Sequence, residues 1–160
     1  MTRLSLMAAV VVAGLTATAA IGDSHADKAA LDAVKARKAV MTLYSFNLGP
    51  LGAMAKGEME YDAEAATAAA GNLAKVASQN QARYWMPGTD MDTLGLDVTH
   101  ARPAIWEDGS KAGEIGGQLA EAAAALEAAA GGGLDSLRGA IGPVGKACGD
   151  CHETYREPYN

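Results

Sequence analysis

Between about Lys28 and Arg156 the apolar residues recur every three or four positions, the period of helices that each bury one face. In a first segment, about Lys28 to Leu48, the apolar face is Leu31, Val34, Met41, Tyr44 and Leu48, and the same seam passes through Arg37. Gly49-Pro50 is expected to bend or end that helix, because an interior proline removes a donor and crowds the preceding turn. A second segment opens at Asp62, a good N-cap, and turns Ala66, Ala69, Leu73 and Val76 inward as far as about Asn80. Residues 83–102 carry Pro87-Gly88 and Gly95 and have no helical period, so they read as a long connection with a local apolar patch at Tyr84, Trp85 and Met86. A third segment is expected from Pro103 through Ile105, Trp106, Ile115 and Leu119 to Ala130, where Gly131-Gly132-Gly133 stops it. The fourth runs from Leu134 or Asp135 to about Arg156, with Leu137, Ile141, Val144, Cys148, Cys151 and Tyr155 on its seam. Strand-like alternation is nowhere in the sequence. The pattern predicts an all-α, antiparallel (up-down) four-helix bundle.

The N-terminus reads differently. Met1-Thr2-Arg3 gives a positive start, Leu4 to Leu15 is almost unbroken apolar sequence, and Ala17-Thr18-Ala19 has the small residues that a signal peptidase requires. Residues 1–20 are therefore expected to be a cleaved signal peptide and 21–160 the mature domain; Ser24-His25-Ala26 offers a second cut, and an uncleaved membrane anchor is the rival reading.

Composition adds two constraints. Of 160 residues 49% are hydrophobic, yet only eight are aromatic while nineteen are glycine, so the bulky groups that normally fill a core are scarce. The net charge of −6, without clustered Lys and Arg, argues against a nucleic-acid partner.

Cys148-Gly149-Asp150-Cys151-His152 is the one chemical signature. C-x-x-C-H is the attachment motif of a c-type haem: two sulfurs form thioethers with the haem vinyl groups and the following imidazole ligates the iron. On a helix these positions, i, i+3 and i+4, share one face and so address one flat body. A thioredoxin-like dithiol would lack its βαβ setting, a zinc site would lack further ligands near His25 or His100, and a disulfide over so short a loop would add little.

With this motif in the last helix and Arg156 one turn beyond His152, the sequence resembles the cytochrome c′ family. Further segments that carry the resemblance are Arg37 with Met41, Ala55-Lys56-Gly57-Glu58 leading to Tyr61-Asp62-Ala63, Ala101-Arg102-Pro103 with Ile105-Trp106, and Val144 to Cys148. The resemblance implies one covalent haem c held by Cys148 and Cys151, with His152 as the proximal iron ligand, in the periplasm of a Gram-negative bacterium. It also divides two functions. Low-spin relatives coordinate a methionine from the first helix and carry electrons between redox partners; high-spin members leave that position open and bind NO or CO. Met41 stands at the deciding position, and the sequence around Cys148 favours the low-spin side, so the expectation is a one-electron carrier ligated by His152 and Met41, the alternative a five-coordinate NO/CO binder. Arg37 is expected either to pair with a haem propionate or to pack its stem on the bundle with its head in water, Arg102 more weakly to pair with a propionate, and Arg156 to shield or position His152. Tyr44, Trp85 and Trp106 are expected to pack, and His25 and His100 to be solvated. No substrate-transforming set of residues stands out, so enzymatic turnover is not expected. Many members dimerise through their first two helices, which raises a homodimer here.

Overall fold

The computed structural model describes residues 19–159, and over 19–26 the backbone alone. The leader expectation for residues 1–20 thus lies outside the described residues but for its last two positions, as does the side chain of His25. Four long helices build the molecule: α1 (Ala19–Lys56), α2 (Ala63–Ala77), α4 (Ala112–Ala130) and α5 (Leu134–Tyr155), with a single-turn helix α3 (Met91–Leu94) in the long connection. They stand in a ring in which α1 touches α2 and α5, and α4 touches the same two. Among the described residues there is no strand, only an isolated bridge between Ala101 and Arg156. No helix of the described residues is long and apolar enough to cross a membrane.

The first helix departs from expectation. It runs on through Pro50 to Lys56, because Leu51 and Met54 beyond the proline are fully buried and hold the last two turns against the bundle. It ends where Gly57 takes φ +78°, with Gly57 N–H donating to Met54 O and Glu58 N–H to Ala53 O, the double bond of a glycine C-cap. Leu31, expected inside, is 40% exposed, and the buried face is instead Ala33, Val34, Arg37, Val40 and Tyr44.

Asp62 caps α2 as expected, accepting from the Glu64 and Ala65 N–H groups, although the helix stops at Ala77, not near Asn80. The third segment is also shorter than its pattern. Pro103–Ile105 form only a 3₁₀ turn, a turn at Gly109 (φ +83°) follows, and α4 starts at Ala112. Trp106 is thereby freed from a helix to donate its indole N–H to Trp85 O at 3.0 Å. The fourth helix matches expectation and tolerates Pro143 in its interior.

Small residues let α2 and α4 approach closely: Ala66, Ala70, Ala123 and Ala130 are completely buried beside Leu73 and Leu126. A Cβ on Gly131 would stand 2.5 Å from Thr67 Oγ1. Tyr61 ties the lower end together, donating to Ala130 O and accepting from Gly133 N–H.

Candidate cofactor site

α5 carries Cys148, Cys151 and His152 on one face near its C-terminal end, all three half-buried and opening on one cavity of about 870 Å³. Both thiols are free. Burial pushes the Cys148 thiol up; burial and the neighbouring Cys148 do the same for Cys151, with Arg156 opposing. A thioredoxin-like dithiol uses a depressed thiol pKa, and burial here works the other way. Burial, reinforced by the Arg156 charge, lowers the His152 pKa and keeps the imidazole neutral, the form that donates a lone pair to a metal.

The other walls come from every part of the bundle. α1 contributes Met41, Tyr44 and Leu48, one turn apart along the helix. α4 contributes Ile115 and Leu119 with Gly113, Gly116 and Gly117, at each of which a Cβ would meet no atom within 4 Å. Trp85 and Trp106 close the side formed by the long connection. Tyr44 accepts a hydrogen bond from Gln81 Nε2 at 2.7 Å, so its hydroxyl is satisfied within the wall. Apart from His152 and Arg156, none of the described lining residues is an acid, a lysine, an arginine or a histidine.

A volume toward the upper end of the ~300–1,000 Å³ usual for cofactor sites, a largely apolar lining, a glycine strip that leaves one wall open, and two thiols beside one neutral imidazole fit a covalently held haem. Among the described residues no cluster of three or more His, Cys, Asp or Glu could hold a metal ion, which leaves the zinc alternative without a ligand set.

The family model for cytochrome c′ matches residues 32–156. The chain belongs to the cytochrome c′ family. It is 39% identical to cytochrome c′ of Cereibacter sphaeroides over 151 residues, 94% of this chain and 96% of that one. It is 43% identical to cytochrome c-554 of the same species over 124 residues, covering 78% and 80%. Among solved structures, a Rhodobacter cytochrome c′ superimposes with TM-score 0.77 at 42% identity over 81% of this chain and 98% of that one. An Alcaligenes xylosoxidans cytochrome c′ variant with bound NO gives 0.67 at 32% identity (79% and 95%), and a variant with bound carbon monoxide 0.68 at 33% (79% and 95%). The four-helix bundle and the single covalent haem c are thus family properties of this c-type haem protein.

The residues singled out from sequence fall into two groups. Met41, Tyr44, Trp85, Trp106, Cys148, Cys151, His152 and Arg156 all line the cavity. Arg37 and Arg102 do not. Arg102 is engaged elsewhere, in an ion pair with Glu157 (2.9 Å) and in bonds to the Glu153 and Thr154 carbonyls. Arg37 is buried and bonded to the long connection rather than extended into water. His100, expected in solvent, is half-buried, with Nδ1 3.0 Å from Glu157 O and its ring 4.0 Å from that of Tyr159, because the C-terminal tail folds back over residues 100–102. Sequence reasoning missed Tyr159, which lines the cavity beside Arg156, and the glycine strip of α4. The Gly113, Gly116 and Gly117 spacing was a visible signal; nothing near Tyr159 in sequence announced its return to the site.

Proposed function

We propose that the protein binds a small neutral gas, NO or CO, at the haem iron, with Cys148 and Cys151 as the thioether residues and His152 as the only protein ligand. When bound, haem c supplies an iron that takes its fifth bond from the imidazole and changes between ferric and ferrous states. The observation that carries the reading is the cavity lining: on the α1 side Met41, Tyr44, Ser45 and Leu48 carry no charge, and burial pushes the Tyr44 phenol pKa up and so favours its neutral form, so a neutral diatomic ligand suits it and an ionic one does not. The NO- and CO-bound relatives support it over the electron-carrier expectation drawn from sequence. α5 holds the imidazole neutral and aimed, Arg156 keeps a positive charge beside it, and the aromatic residues of the long connection exclude water. None of these residues forms a nucleophile–base pair, so the proposal is reversible binding without substrate turnover, in the periplasm.

A second reading, electron transfer with Met41 as sixth ligand, is favoured by one observation. Met41 is the only methionine among the described lining residues; Met54, Met59, Met86 and Met91 lie elsewhere. Absorption spectra separate the two. A high-spin ferric spectrum, ready CO uptake by the ferrous protein and an unchanged spin state in Met41→Ala are expected. A low-spin spectrum with the weak far-red band of methionine-to-iron ligation, lost in Met41→Ala, would overturn gas binding in favour of electron transfer.

A further inference from the structure

In the α1 wall of the cavity Tyr44 is a polar side chain that is buried, 7% exposed, beside Met41 and Leu48. Its phenol oxygen accepts from Gln81 Nε2 at 2.7 Å. The same Nε2 lies 3.4 Å from Val76 O, an atom that can only accept, so the amide turns its NH₂ group this way and does not offer its carbonyl to Tyr44. The bond from Gln81 thus fills the accepting side of the hydroxyl, and its proton remains to be given. Among the described residues no hydrogen bond takes that proton. The other hydroxyls of the lining differ: Ser45 donates to Thr42 O, Ser78 to Lys75 O, and Tyr159 is 67% exposed. A buried donor is unfavourable unless paired, so the occupant of the cavity is the natural source of an acceptor.

A haem held through Cys148 and Cys151 carries its propionates on the edge opposite the two thioethers. Burial pushes the Tyr44 pKa up, the Gln81 bond opposes the rise and Cys148 adds to it, which sets Tyr44 toward the thioether end and away from the propionates. The sixth position of the iron is the one turned away from His152 on α5, and Met41 and Tyr44, three residues apart, share one face of α1. We propose that Tyr44, oriented by Gln81, donates a hydrogen bond to the outer atom of a diatomic ligand on the iron. It is then a specificity-determining residue, favouring a ligand whose outer atom gathers negative charge. The inference rests on the gas-binding reading and adds to it a directed polar contact that Met41 and Leu48 do not supply. Phenylalanine in its place keeps the ring and loses the donor.

The test is the infrared spectrum of CO on the ferrous holoprotein, its covalent haem confirmed by colour in a denaturing gel. A donor at the outer oxygen draws electron density from the iron into the ligand, which weakens the C–O bond and lowers its stretching frequency. Tyr44→Phe is expected to raise that frequency and to speed CO release about twofold, the low end for one neutral hydrogen bond. Gln81→Leu, which frees the phenol without removing it, is expected to broaden the band and move it part of the way. A purely structural Tyr44 would lower the unfolding midpoint in Tyr44→Phe and leave the band in place, which overturns the proposal. Should Tyr44→Phe fail to fold, Gln81→Leu decides alone, and a band unchanged in position and width refutes the donor. Should the unmodified ferrous protein take up no CO, it is gas binding that fails. The same comparison in a Met41→Ala background, with the sixth position opened, then decides for Tyr44 separately.

Discussion

Glycine at position 116 shows how a residue can serve a site by what it lacks. Nothing stands within 4 Å of where its Cβ would be, and the space belongs to the cavity. Gly116→Leu should therefore leave the helix formed, since leucine is the better helix former, while intruding on the space a macrocycle needs. Expected is a lower ratio of haem absorbance to protein in the purified holoprotein; undiminished loading would mean that the cofactor does not approach α4. That His152 and the two cysteines share one face was readable from their spacing alone, because i, i+3 and i+4 lie together on any helix. The partners of Arg37 were not: Thr89 and Thr99 lie 52 and 62 residues away, in a stretch with no period to read.

Among the elements, the helices whose apolar period is uninterrupted were read nearly to their ends. α2 and α5 begin and end within about three residues of expectation, because a cap or a glycine stop is a local, chemical signal. Errors cluster where local and tertiary preferences disagree. Pro50 argues for a break, and burial of Leu51 and Met54 overrides it; Pro103 argues for a helix start, and the turn at Gly109 overrides that. The long connection holds a pH-sensitive element as well. Burial would raise the Asp90 carboxyl pKa, but hydrogen bonds from Thr93 and from its own and the Asp92 backbone outweigh it and hold it below the usual carboxylate range. A native pKa below the unfolded one contributes stability that is present above about 3.8, the ordinary value, and is lost as pH falls through the native value. The unfolding midpoint should therefore drop more steeply between neutral pH and acid in the unmodified protein than in Asp90→Asn, and equal slopes would refute the linkage. Asp90→Ala, which also removes the cap of α3, should cost about 1 kcal/mol.

At the scale of the whole molecule, α1 leaves Leu43 and Phe46 on its outer side, 46% and 76% exposed. Apolar groups so placed suit burial against another apolar face, which a second copy of α1 supplies. A dimer is expected in analytical ultracentrifugation, and Phe46→Glu should convert it to monomer; a monomer in both cases would remove this face from consideration. The sequence by itself determined the helical class, the number of long helices and the grouping of Cys148, Cys151 and His152 on one helix face, because periodicity, capping and helical spacing act over a few neighbouring residues. It also explained the shortage of bulky side chains, since a macrocycle supplies that bulk. Only the tertiary structure decided that Arg102 is spent on the C-terminal tail, that Arg37 is bonded to the long connection, and that Met41 is the one methionine of the described residues to line the cavity, because each depends on residues that meet in space after tens of intervening positions.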